Sequence, residues 1–385
     1  MKHDFNPLYP SIDHLRLRAQ QKIPKFAFDY LDNGCNQNIN LHRNTSEIRD
    51  IELIPNYIST YKGLSLKTNI LGVEYDYPFG IAPIGLQGLM WPKASEILAK
   101  TAFEHNIPYI LSTVGTADIE TIGNITEGKA WFQLYHPTKD EITFDLLQRC
   151  KDVGIKVLVI LADVPSFGYR PKEIANGLSI PPRMTLKNIL QILSSPHWAL
   201  HTLYYGQPTF KTMLPYTPKK LNLKHLGIFM NQTFSGRLTK EKIDKIRNNW
   251  DGKLIVKGIA SEADAEIVLR LGADGIIVSN HGGRQLDMGQ TAIKALNPIV
   301  KNFQHKTTIM MDSGIRSGTD IANVLAHKAQ FCFLGRSFMY GVSALGRNGG
   351  KQVMEILSRE LKQVMEQIGC ERIGDLPAFT AKEIL

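Results

Sequence analysis

Seven consecutive residues, Ser279 to Gln285, read SNHGGRQ and place an imidazole, a guanidinium and two glycines in one short loop. An imidazole titrates near neutrality and can accept a proton. A guanidinium can grip a carboxylate through two parallel hydrogen bonds, a geometry that lysine cannot reproduce. The glycines at 282 and 283 let the backbone approach a bound ligand closely. A plain turn with solvated His281 and Arg284 would use the same residues. Against that reading, the loop follows directly on Gly275–Val278, a buried apolar strand. A strand that ends abruptly in reactive side chains is how a barrel or open sheet presents chemistry at its carboxyl edge.

Other apolar runs end in the same way. Asp163 follows VLVILA and would be costly to bury unless paired, so it must face a partner. Lys257 follows three apolar residues, where an ammonium has to meet an anion or shift its pKa. By itself it would also suit a Schiff-base lysine. Gln133 and Tyr135 are two apart and share one face of an extended strand. MDSGIRSG supplies Asp312, Ser313, Gly314 and Arg316, and FLGRS supplies Gly335 and Arg336, each run leading into a helix. Barrels hold phosphate in the loops after their last two strands, so these two loops alone would equally fit a phosphosugar enzyme.

The elements that position these groups alternate strand with helix from residue 78 onward. Strands are predicted at Phe79–Ala82, Tyr109–Ser112, Trp131–Leu134, Val157–Ala162, Leu254–Lys257, Gly275–Ser279, Thr308–Asp312 and Phe331–Leu334. Eight such units predict a (β/α)8 TIM barrel. A doubly wound sheet shares the alternation, but no GxGxxG follows the first strand. An N-terminal helical extension precedes the barrel, with one helix over Ile12–Gln21 and a second opened by Pro24, which sets Phe26, Tyr30 and Leu31 at helical spacing. Residues 1–385 read as a single barrel domain interrupted by a long insertion after strand 4, residues 165–238. The insertion holds Pro181, Pro182, ILQILSSPHWAL and GQPTFKTMLPYTPKK, and it is too long for a simple connection. It predicts a lid or a docking surface, with Ile189, Ile192, Leu193, Trp198 and Leu203 on one apolar face; a helix packed on the barrel would show the same pattern.

The chain has 385 residues and a net charge of +9. The basic residues are scattered, without a run interleaved with aromatics, which argues against nucleic acid and in favour of small anionic ligands. Cys35, Cys150, Cys332 and Cys370 are far apart, so neither a zinc site nor a disulfide framework is expected, and a reducing cytoplasm is the simplest compartment. No segment has the length of a signal peptide core or a membrane span.

SNHGGRQ resembles the signature of the FMN-dependent 2-hydroxy-acid dehydrogenases and oxidases, a family that includes glycolate oxidase, flavin-linked L-lactate dehydrogenase and mandelate dehydrogenase. The resemblance extends from about Asn6 to the C-terminal helix. It implies noncovalent FMN and oxidation of an L-2-hydroxy acid, lactate-like or glycolate-like, to the 2-oxo acid. His281 would be the base and Asp163 its orienter. Tyr30 and Arg284 would hold the carboxylate, Arg170 would guard the substrate entrance, and Tyr135 would contact the hydroxyl. Around the flavin it implies the backbone of Pro83, Ile84 and Gly85, with Ser112, Gln133 and Ser279 near the ring. Lys257 would face the N1/C2 edge, Asp312 the ribityl chain, and Ser313, Gly314, Arg316, Gly335 and Arg336 the phosphate. No metal is implied.

Four positions depart from the family. Ile84-Gly85 replaces Thr-Ala, Leu161 replaces a threonine, and Val114 stands where glycolate-oxidising relatives carry tryptophan, so the pocket can take a different or larger side chain. The resemblance leaves open whether oxygen, a quinone or a protein accepts the electrons, and whether hydride or a carbanion is formed. It implies a homotetramer, and in mandelate dehydrogenase the region matching the insertion attaches to the membrane. The rival readings are another FMN barrel chemistry, such as a flavin-dependent isomerase, and a non-catalytic flavin-binding scaffold.

Overall fold

A computed structural model of the chain describes residues 5–178, 183–217, 229, 232–234 and 236–381. A two-stranded ribbon, β1 (Thr68–Ile70) and β2 (Val73–Tyr75), leads into eight parallel strands. These are β3 (Phe79–Ile81), β4 (Ile110–Ser112), β5 (Trp131–Leu134), β6 (Val157–Leu161), β7 (Lys253–Ile259), β8 (Gly275–Val278), β9 (Thr308–Met311) and β10 (Phe331–Leu334). Neighbours in sequence are neighbours in the sheet, β10 returns to pair with β3, and a bridge between Ile81 and Tyr109 joins β3 to β4. The predicted TIM barrel is therefore what the chain forms, with all eight strands where the apolar runs lie.

The largest difference from the predicted strands is β7, which continues through Gly258 to Ile259. The register between β7 and β8 shifts between Lys257 and Ile259. Gly258 has φ +95°, and a Cβ there would stand 2.6 Å from the Asp163 side chain. A glycine bulge thus lets Asp163 sit against the backbone just after Lys257.

Bulky side chains fill the barrel interior, among them Trp131, Val159, Ile255, Ile277, Phe331 and Phe333, with Trp131 and Phe333 ring centroids 5.4 Å apart. The ribbon closes the amino-terminal end. Tyr75 lies 5.8 Å from the Phe331 ring, and its hydroxyl accepts a hydrogen bond from the Trp131 indole at 3.4 Å. Open space is left at the carboxyl ends of the strands.

Three helices precede the barrel: α1 (Ile12–Lys22), α2 (Lys25–Asp32) and α3 (Ile39–Arg49). Ser11 caps α1. Pro24 stands just before α2, which buries Phe26, Phe28 and Leu31 and brings Tyr30 to the barrel mouth. No periodicity announces α3, because two of its four buried residues are asparagines, Asn40 and Asn44.

The insertion folds into short helices at Pro171–Ala175, Leu186–Leu193 and Pro196–Tyr205 and a 3-10 turn at Lys211–Tyr216. Pro181, Pro182 and the end of GQPTFKTMLPYTPKK lie outside the described residues. The single apolar face expected here is divided. Trp198 is buried, donating its indole N–H to the Leu89 carbonyl at 3.0 Å and meeting Phe26 edge-on at 5.8 Å. Ile192 is half-buried, whereas Ile189, Leu193 and Leu203 point outward with Leu186, Leu190 and Leu200. On the Leu186–Leu193 helix Leu186, Ile189, Leu190 and Leu193 follow i, i+3, i+4, i+7 spacing and form a face of their own that turns away from the core Trp198 enters.

Candidate active site

A cavity of about 1110 Å³ lies at the carboxyl ends of the strands. Its wall includes Tyr30, Pro83, Ile84, Gly85, Tyr135, Arg170, Lys257, His281, Arg284, Asp312, Ser313, Gly314, Arg316, Gly335 and Arg336. Residues remote in sequence thus converge because each stands just beyond a strand end, in a neighbouring loop or, for Tyr30, on α2.

His281 donates from Nδ1 to Asp163 Oδ1 at 3.0 Å. Burial raises Asp163, but the facing His281 and Lys257 outweigh it and hold the carboxyl below its usual range. An ionised carboxylate on Nδ1 leaves Nε2 as the basic nitrogen. Burial presses His281 below the ordinary imidazole value against the pull of Asp163, with Lys257 and Arg170 lowering it further. His281 also has φ +58°, a left-handed backbone rare outside glycine and common where structure is bent to a task. Its amide donates to Ser279 Oγ at 3.0 Å, which pins the turn.

Lys257 is buried, with Nζ 2.9 Å from Asp312 Oδ2 and 2.8 Å from Ser279 Oγ. Burial lowers its pKa, yet Asp312 and Asp163 raise it more, so the ammonium stays charged. Asp312 is correspondingly committed: one oxygen faces Lys257 and the other accepts from Ser313 Oγ at 3.0 Å. Ser112, Gln133, Ser279 and Asp163 stand behind the cavity wall rather than on it. Ser112 accepts from the Val114 amide at 3.3 Å, while Gln133 keeps a buried side-chain nitrogen without a hydrogen-bond partner among the described residues.

Arg284 donates from Nη1 to the carbonyls of Tyr30 and Asn33 at 2.7 and 2.9 Å, and from Nη2 to Glu173 Oε1 at 2.7 Å. Three of its five N–H donors are used, and two are left for a ligand. Its guanidinium also lies over the Tyr30 ring, 4.9 Å from the centroid. Arg170 reaches the second Glu173 oxygen at 3.4 Å, and its buried Nε has no hydrogen-bond partner among the described residues. Burial raises the Tyr30 and Tyr135 phenols, so both remain donors.

Next to Arg284, with which it shares the Asn33 carbonyl, Arg336 is lowered by burial, and the Arg316 and Arg284 guanidiniums lower it further. Among the described residues Arg336 donates to backbone carbonyls alone, those of Leu31, Gly282 and Asn33. A crowd of cations satisfied by neutral acceptors is a site for an anion.

Residues 19–382 match the family of FMN-dependent dehydrogenases. The chain belongs to that family. It is 34% identical over 362 residues to an L-lactate dehydrogenase of Vibrio parahaemolyticus, covering 94% of this chain and 95% of the relative. An L-lactate dehydrogenase of Pseudomonas syringae is 34% identical over 369 residues, 96% of this chain and 97% of that one. Among solved structures, the monotopic membrane protein (S)-mandelate dehydrogenase superposes with a TM-score of 0.93 at 31% identity, covering 98% of this chain and all of the other.

The residues of this dehydrogenase fit its cofactor. The Arg316/Arg336 pair would offer positive charge for a phosphate and buried Lys257 a fixed charge beside the cavity, while the unpartnered Gln133 nitrogen lies just behind the wall. Two side chains of the site went unread in the sequence. Glu173 joins Arg170 to Arg284, and only its i, i+3 spacing from Arg170 hinted at this. Gln285 ends the SNHGGRQ motif and ties the Asp163 loop to it, donating to the carbonyls of Asp163 and Ser166 at 3.1 and 2.9 Å.

Proposed function

We infer that this FMN-dependent enzyme oxidises an L-2-hydroxy acid to the 2-oxo acid, with His281 taking up the proton. FMN supplies the electron sink when bound. The single observation carrying the reading is the Asp163–His281 pair, whose basic nitrogen shares a cavity with Arg284, Arg170 and Tyr135. The free donors of Arg284 and Arg170 would bind the carboxylate and Tyr30 would support it. Tyr135 would donate to the substrate hydroxyl oxygen, orienting its proton toward Nε2. Asp163 would stabilise the imidazolium that forms. Lys257 would place positive charge where negative charge grows on the flavin edge. The whole of residues 1–385 serves as one barrel domain in this reading.

Anaerobic addition of L-lactate and longer L-2-hydroxy acids to the FMN-loaded protein should bleach the flavin band. His281→Gln should retain FMN and slow bleaching by roughly 10²-fold or more. Bleaching at the parental rate would remove His281 from the mechanism. Turnover without net flavin reduction would favour an isomerase-type chemistry, and FMN binding without either would favour a scaffold.

Among the described residues no helix is long and apolar enough to cross a membrane. Leu186, Leu190 and Leu193, 73%, 60% and 69% exposed, share a face of one insertion helix, and Leu203, 82% exposed, lies on the next. We take this patch as a peripheral membrane contact and a quinone as the electron acceptor, in a homotetrameric enzyme. The patch exceeds what scattered surface leucines explain. Flotation with lipid vesicles should carry the protein up and should fail for Leu190→Asp/Leu203→Asp. Unchanged flotation would move the contact elsewhere.

A further inference from the structure

The cavity has two chemically different ends. Around His281, Arg284 and Arg170 it is charged. Beyond Gly85 its wall turns apolar and leads away through Leu86, Leu89 and Trp198 to Ala199 and Leu203. Gly85 and Val114 stand where the two ends meet: a Cβ at residue 85 would lie 3.0 Å from Val114 Cγ2 and 3.6 Å from the Tyr30 hydroxyl. Trp198 is anchored in the apolar arm, its indole hydrogen-bonded to the Leu89 carbonyl and packed against Phe26. The arm also reaches solvent. Leu203 and Met184 line the cavity and yet are 82% and 66% exposed.

Resting on the 2-hydroxy-acid reading, we propose that the apolar arm receives the side chain of the substrate, and that the preferred substrate is a 2-hydroxy acid with an extended apolar chain rather than lactate or glycolate. A carboxylate fixed by Arg284 and Arg170 with its hydroxyl at His281 leaves the third substituent of the reacting carbon free. Gly85 and Val114 pack against each other on the cavity wall, so neither carries a long side chain into the arm. A two- or three-carbon acid would leave apolar wall unfilled, whereas each methylene laid along it is removed from water. That gain amounts to roughly fourfold in kcat/KM per methylene when burial is complete.

The test uses the FMN-loaded enzyme under anaerobic conditions, with glycolate, L-lactate, L-2-hydroxyhexanoate and L-2-hydroxyoctanoate as reductants. The ratio of kcat/KM for 2-hydroxyhexanoate over lactate should be in the tens. Ala199→Trp, which fills the arm away from the reacting groups, should bring that ratio toward one. Quenching of tryptophan fluorescence by hexanoate and octanoate, which cannot be oxidised at a missing hydroxyl, should report occupancy of the arm beside Trp198 and be lost in a Trp198→Phe variant. A ratio at or below one overturns the proposal, as does a high ratio that Ala199→Trp leaves untouched. A flat ratio in which Ala199→Trp instead slows reoxidation by a quinone analogue also overturns it and assigns the arm to the electron acceptor. Failure of every hydroxy acid to bleach the flavin is a separate result, which refutes the oxidation reading itself.

Discussion

Arg284 and Glu173 meet at 2.7 Å, both side chains largely buried, and the other oxygen of the same carboxylate reaches Arg170. One acid therefore sets the spacing of two guanidiniums and leaves the pair with a single net positive charge, matched to a monoanionic ligand. Glu173→Ala should destabilise the protein by about 3 kcal/mol by leaving buried charge uncompensated. Glu173→Gln should cost less and should raise KM for the hydroxy acid more than it lowers kcat. Thermal unfolding together with steady-state kinetics would check both, and an unchanged KM in Glu173→Gln would sink the positioning role.

The pH dependence follows from the direction of the His281 shift. The base must be neutral to work, and burial holds its pKa below the ordinary imidazole value, so kcat/KM should rise with pH on a limb below about 6.5 and stay flat above it. Asp163→Asn removes the charge that pulls this pKa upward. Its limb should move to still lower pH while kcat drops by roughly 10²-fold or more, the imidazolium having lost its partner. A limb above pH 7, or one that rises in Asp163→Asn, would contradict the assignment of base and orienter.

For Lys257 the linkage runs in the alkaline direction. Its folded pKa is raised, so the stability it contributes is fully present below the unfolded lysine value and is lost as pH climbs through the higher folded value. Lys257→Met should lower stability at neutral pH by about 3 kcal/mol, leaving Asp312 unpaired, and should flatten the decline above roughly pH 10.5. Denaturant melts at pH 7 and pH 11 would check this, and parallel pH profiles in the two proteins would refute it.

Gly258→Ala tests the bulge. The substitution would force φ +95° on a residue with a side chain and drive a methyl into Asp163. A loss of about 1–3 kcal/mol from backbone strain is expected, with a fall in kcat larger than stability alone explains because Asp163 is displaced from His281. Normal kcat in a folded Gly258→Ala protein would disconnect the bulge from the site.

The sequence made the barrel readable because strands buried on both faces are continuous apolar runs, and because each functional residue of the mouth follows such a run directly. Lys257, Asp163 and His281 could be paired off as charges requiring partners. The α3 helix was not readable: Asn40 and Asn44 are buried through hydrogen bonds to distant loops, which hides its inner face from any hydrophobic period. The partition of the insertion was equally hidden. Whether Trp198 or Leu203 turns inward depends on Phe26 and Leu89, which lie far away along the chain. Glu173 escaped for the same reason, since one of its two partners lies 111 residues away.

The ribbon stopper of Tyr75 against Trp131 and Phe331 blocks the amino-terminal end of the barrel, so traffic enters and leaves at the carboxyl ends of the strands. Fuel, product and whatever collects the electrons then meet in one cavity, so occupancy by one delays the next. Such traffic favours alternation, with the oxidised acid departing before reoxidation begins, and double-reciprocal plots at several acceptor concentrations should give parallel lines.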